Sequence, residues 1–169
     1  MNLNVKDIVL LPILATLAFA AKLILAPIAN VELVSLLLCV YTVALGLKRG
    51  LFIALIFTTI TVFESAYYGA GEWIIMYFIN WPALAILTHL FLRKRPTEWP
   101  AAIMLGLYGL LFDATGIIIH FFFYGPAGAL AYLISGIPFS AIHGAANYIL
   151  GLVLFKPLLS AMTKANERM

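Results

Sequence analysis

Gly106, Gly109, Asp113, Gly116 and His120 follow one another at intervals of three or four residues. That rhythm places all five on one face of a helix. His143 and Asn147 stand four apart and share a face of another. Glycines let a neighbouring backbone come close, while an acid and imidazoles inside an apolar stretch need polar company. The chemistry this favours is binding. Between the two groups lies FFFYGPAGALAYLISGIPFS, aromatic, glycine-rich and interrupted by Pro126 and Pro138. Two polar-faced helices joined by a bent aromatic segment would form the mouth of a ligand site. The competing reading is close helix packing with internally satisfied polar groups.

The elements that must position these residues are membrane helices. The chain is 64% hydrophobic and 10% charged, where soluble domains carry about 25% charged residues. Helical spans need roughly 20 apolar residues each. The apolar runs are continuous rather than alternating, which argues against a barrel. The expected fold is an all-α integral membrane protein, a single domain over residues 1–169. Six spans are expected: Ile8–Ala26, Leu33–Leu47, Leu51–Phe63, Trp73–Leu92, Ala101–His120 and Pro138–Phe155. The start imitates a secretory signal, with Ala18-Phe19-Ala20 as its cleavage-like end. The apolar pattern runs on to Ala29, so an uncleaved first span is expected. Pro82 should kink the fourth span or free a carbonyl. Lys22, inside the first, should snorkel or pair with an acid.

Basic residues orient the chain. Lys6, Lys48, Arg49, Arg93, Lys94, Arg95, Lys156, Lys164 and Arg168 fall at the N-terminus or after spans two, four and six. The connections after spans one, three and five hold neither Lys nor Arg. The positive-inside rule then places both termini in the cytoplasm and makes the number of spans even.

Several chemistries have no motif. There is no phosphate-binding G-x-x-x-x-G-K-[S/T] and no H-E-x-x-H or C-x-x-C metal spacing. Neither a catalytic residue nor a metal ligand set is expected, so the chain is read as non-catalytic, and any ATP hydrolysis would belong to partner chains. Ser140 and His143 are near neighbours, but adjacency alone does not assemble nucleophile, base and oxyanion donors. The single cysteine, Cys39, allows no internal disulfide. Nothing offers nucleic acid a soluble surface to track.

The candidate site is therefore the external half. Tyr67, Tyr68, Trp73, Tyr77, Trp81, Tyr124 and Tyr132 could wall a pocket for a ring-bearing ligand, or belt the membrane interface. Glu32, Glu64, Glu72 and Asp113 outnumber the one base, Lys22, on this side. A multiply anionic ligand would call for Arg or Lys forks, so neutral or cationic ligands are expected. Small residues of the first span, Ala15, Thr16, Ala18 and Ala20, form stripes suited to close helix contact.

The layout resembles the substrate-binding S components of energy-coupling factor (ECF) vitamin transporters. Ala15 to Ala20 looks like the small-residue face of that family's first helix, although its A-x-x-x-A signature is not intact. Asn30-Val31-Glu32-Leu33 looks like the first external loop. Ser135 to Asn147, followed by Leu154-Phe155-Lys156-Pro157-Leu158, is similar to the last helix. The resemblance implies a subunit of the bacterial cytoplasmic membrane with no cofactor of its own. It would bind a vitamin from outside and deliver it with a membrane scaffold protein and two ATPases. It implies ligand contacts at Asn30, Glu32, Tyr67, Tyr68, Trp73, Tyr77, His120, Tyr124, His143 and Asn147. It implies partner contact through Ala15, Thr16, Ala18 and Ala20. The pattern looks closest to cobalamin-type S components. Pyridoxine, a thiamin precursor, pantothenate and queuosine-type ligands stand as alternatives, as does a stand-alone secondary carrier.

Overall fold

The computed structural model describes residues 5–168. Among these the chain is helical throughout, with no strand. Helices α1 (Val5–Leu25), α2 (Val34–Leu45) and α3 (Leu47–Thr61) come first. A 3-10 turn (Val62–Glu64) and the single-turn α4 (Ser65–Tyr68) follow. Then come α5 (Trp73–Leu92), α6 (Glu98–Leu111) and α7 (Ala114–Arg168). The stretches Val5–Leu25, Leu47–Tyr68, Trp73–Leu92 and Glu98–Arg168 are long and apolar enough to cross a membrane. α2 is a shorter apolar helix. Large apolar side chains cover the outside, among them Ile8, Phe63, Leu90, Phe122 and Val153. An exterior of this kind is compatible with hydrocarbon contact.

Single glycines make two of the reversals. Gly46, at φ 89°, separates α2 from α3 and donates its N–H to Thr42 O. Lys48, Arg49 and Gly50, expected to close span two as a loop, instead form the first turn of α3. One residue in the left-handed region turns the chain, so no loop is needed. The third apolar stretch consequently runs to Tyr68, longer than the expected Leu51–Phe63.

The second reversal corrects the reading of spans five and six. α7 is two helical limbs, residues 114–124 and 126–168, meeting at Gly125 (φ 70°, ψ −172°). The limbs fold back on each other, since Gly116 and His120 of the first meet Tyr132 of the second. The aromatic segment expected to be a bent loop is helix on either side of that one residue. Pro126 opens the second limb at a position where a missing N–H costs nothing. Pro138, expected to begin span six, lies well inside the limb.

α6 and the first limb together run antiparallel to the second limb, and small residues set the contact. A Cβ on Gly109 would stand 2.8 Å from His143 O and 2.9 Å from Gly144 Cα, and one on Gly151 would stand 2.8 Å from Ala102 Cα. The backbones touch at these points, as small residues allow in apolar surroundings. Between α6 and α7 the helical hydrogen bonding loosens at Phe112–Asp113, where Phe112 keeps helical dihedrals (φ −56°, ψ −40°) and donates to Gly109 O. The shared face continues across this junction: Gly106, Gly109, Asp113, Gly116 and His120 all meet the second limb. Elsewhere α1 packs on α3, and α2 fills the centre against α3, α5 and α7. Leu36, Cys39, Ile53, Phe57, Leu84, Leu105 and Phe155 are buried in the core that results.

Candidate functional site

A cavity of about 450 Å3 opens at the end of the bundle that holds the α1–α2 and α4–α5 connections. The clustered bases Lys48, Arg49, Arg93, Lys94 and Arg95 belong to the turns at the other end. Backbone geometry fits each connection to its place. Asn30, at φ 57°, occupies the left-handed conformation that asparagine tolerates and bends the chain between α1 and α2. Gly69, at φ 78°, ends α4.

The floor is aromatic. Trp81 meets Phe57 at 5.4 Å between ring centres (87°), Tyr77 at 5.6 Å (74°) and Phe112 at 5.2 Å. Tyr108 packs on Phe112 at 5.7 Å. Such edge-to-face contacts add to the burial itself. Polar bonds fix the same helices below the floor. Asn80 donates its amide to Phe112 O at 2.9 Å, and the Tyr108 hydroxyl donates to Asn80 O at 3.0 Å. The first of these gives a partner to a carbonyl at the α6–α7 junction.

The walls carry paired charges. Lys22 forms an ion pair with Glu64, and its ammonium lies 5.7 Å from the centre of the Tyr77 ring. Glu32 takes the N–H of Ser35 at 2.8 Å and the Nε2–H of His143 at 3.2 Å. Burial works against ionisation of Glu32. The hydrogen bond and charge interaction of His143, with the Ser35 hydrogen bond, outweigh it and hold the carboxyl below its ordinary range. Asp113 takes the Ser140 hydroxyl at 2.6 Å and the Tyr132 hydroxyl at 3.3 Å. At the rim the Tyr124 hydroxyl donates to Glu72, a bond that keeps the exposed Glu72 carboxyl below its ordinary range.

Of the expected ligand contacts, Asn30, Glu32, Tyr68, Trp73, Tyr77 and His143 line this cavity. The other four do not. Tyr67 points away and is 92% exposed. Tyr124 stands at the rim, engaged with Glu72. His120 lies behind Tyr132, its ring centre 4.1 Å away and its Nδ1–H given to Gly116 O. Asn147 is a helical turn beyond His143, buried in the core, where neither amide atom has a hydrogen-bond partner. Face-sharing put Asn147 on the correct side of its helix, but one turn is about 5.4 Å of depth.

Wall residues also came from positions that carried no polar signal. Met76 and Phe112 are ordinary apolar letters in the sequence, brought to the cavity by α5 and by the α6–α7 junction. Lys22 found its acid, and Asp113 found the hydroxyls of Ser140 and Tyr132. The small-residue stripe of α1 divides. Ala15 and Ala18 are buried within the chain, while Thr16 and Ala20 are exposed. Ala15 and Ala18 already fill contacts inside the fold, so of the four residues expected to meet a partner only Thr16 and Ala20 are open at the surface.

The described residues hold no cluster of His, Cys, Asp and Glu suited to a metal ion. The arrangement offers flat hydrophobic surface, hydrogen-bond acceptors and paired charges, the features with which small-molecule sites hold and orient a ligand. Compared with known families, curated proteins and solved structures, the chain matches none of them.

Proposed function

We propose that this chain is a substrate-binding subunit of a vitamin importer of the ECF type. In this reading it spans the bacterial cytoplasmic membrane six times with both termini inside. The spans are α1, α2, α3 with α4, α5, α6 with the first limb of α7, and the second limb. The observation that carries the reading is the cavity's position: it opens at the end whose connections lack Lys and Arg. A ligand would enter from outside and rest on the aromatic floor. Exposed Thr16 and Ala20 would meet a scaffold protein, and two ATPases would drive release.

Size favours the smaller vitamins. A volume of 450 Å3 lies in the lower part of the range of roughly 300–1,000 Å3 that small-molecule sites occupy. A one- or two-ring compound such as pyridoxine or a thiamin precursor would enter whole. Cobalamin would leave most of its corrin body in the mouth.

A second reading has one observation in its favour. The α6–α7 helix loosens its hydrogen bonding at Phe112–Asp113 inside the bundle, and secondary carriers place irregular helices at their sites. Affinity purification of the tagged chain from its own membranes separates the two. The importer reading expects a membrane scaffold and ATPase chains in fixed proportion. Ligand uptake by proteoliposomes holding this chain alone, with no ATPase, would favour the carrier.

A further inference from the structure

We propose that the cavity selects a planar, neutral or cationic nitrogen heterocycle, one that sets a ring N–H or a positive nitrogen against Glu32 and, where it carries an acceptor atom, takes the Trp81 N–H. Ring-matched anions are rejected. The inference rests on the ligand-site reading above and narrows it to a chemical class.

Charge comes first. The carboxyl groups of Glu32, Glu64 and Asp113 line the cavity against the Lys22 ammonium and the His143 imidazole, which Glu32 already holds. Lys22 is already held by Glu64. An incoming carboxylate or phosphate would have to draw Lys22 away and leave Glu64 partly buried without its countercharge. A ligand without negative charge leaves the pair intact.

Vacant hydrogen-bonding capacity comes second. Asp113 accepts one bond at each oxygen, from Ser140 and Tyr132, and Glu64 holds Lys22 through one of its two. Glu32 accepts one bond at each oxygen, from Ser35 and His143. A carboxylate offers about four acceptor sites, and the Glu32 side chain keeps 15% of its surface open. Its partner His143 packs on Phe112 at 5.2 Å between ring centres, which sets this carboxyl beside the aromatic floor where a flat ligand would rest. Trp81 supplies the complementary group. It lines the cavity, is 3% exposed, and its Nε1–H is buried without a hydrogen-bond partner. Buried donors are seldom left so, and an acceptor atom on the ligand would complete it. The Tyr77, Trp81 and Phe112 rings favour a flat ligand, and aromatic faces attract a cation.

The test uses the purified full-length chain in nanodiscs and three quinoline-sized probes, by equilibrium dialysis. They are 4-quinolone (neutral, with N–H donor and carbonyl acceptor), N-methylquinolinium (cationic) and quinoline-4-carboxylate (anionic). The expected order is 4-quinolone first, then N-methylquinolinium, with the carboxylate at least tenfold weaker than either. Glu32→Gln should weaken N-methylquinolinium about tenfold and leave the carboxylate unchanged or tighter. The ranking on the unaltered chain decides the matter if that variant fails to fold. Binding of the carboxylate as tightly as the other two overturns the proposal. So does the absence of saturable binding by all three to protein that unfolds cooperatively. The importer reading fails separately: a chain that ranks the probes as expected but joins no scaffold or ATPase keeps this site and loses that assignment.

Discussion

Glu32 ties the chain entering α2 to the second limb of α7, through Ser35 on one side and His143 on the other. Its carboxyl titrates below the ordinary value of 4.5 in the folded chain. A group depressed in this way adds stability that is present in full above 4.5 and is lost as pH falls through the folded value. The midpoint of thermal unfolding in detergent should therefore drop on acidification below 4.5, and Glu32→Gln should lower it at pH 7 while flattening that drop. An unchanged acid limb in the variant would mean that other carboxyls set it. Lys22 and Glu64 call for a paired test. Lys22→Met should cost about 1–3 kcal/mol by leaving a partly buried acid unpaired, whereas Lys22→Met with Glu64→Met should recover most of it. Chemical unfolding of the two variants beside the unaltered chain reads this directly. The composition and polarity of these residues were legible in the sequence; their pairings were not. Lys22 and Glu64 lie 42 residues apart, and Glu32 and His143 lie 111 apart. No local spacing encodes contacts at such separations.

Helix faces were more legible than helix ends. The interval of three and four that linked Gly106 to His120 survives as one contact face, because every member meets the second limb across the junction at Phe112–Asp113. That junction itself was hidden, since no proline or glycine marks it. The Gly125 reversal was hidden for the opposite reason: glycines and prolines are so frequent nearby that they suggested a loop. Gly46 misled similarly, because Lys48 and Arg49 beside it read as loop residues. Close backbone contact makes a sharp prediction. Gly109→Ala would force a methyl into backbone atoms that cannot rotate away, so it should destabilise by about 1–3 kcal/mol. At Gly136 the nearest atom to a new Cβ is Asp113 Oδ2 at 3.7 Å, ordinary contact, so Gly136→Ala should be neutral or slightly stabilising. Equal effects of the two in unfolding experiments would mean the α6–α7 seam is looser than its geometry.

At the scale of the molecule, the distribution of basic residues and the placement of the cavity point the same way. Composition pointed to a membrane protein, with which the long apolar helices are compatible, and the basic clusters gave an expected orientation, but the depth and width of the cavity depend on how the apolar helices pack. Orientation is testable through Ala70, exposed between α4 and α5, in a Cys39→Ser background. Ala70→Cys should react with a membrane-impermeant maleimide in intact cells, and reaction only after permeabilisation would reverse the bundle. The central claim is that the cavity holds a small ring-bearing ligand. The most direct measurement is mass spectrometry of the small molecules released from the purified chain, set beside a Tyr77→Ala variant shown to fold. The account predicts one compound, planar, nitrogen-containing and of one or two rings, retained at up to one per chain and depleted from the variant. No compound above background, or equal retention by the variant, would contradict it.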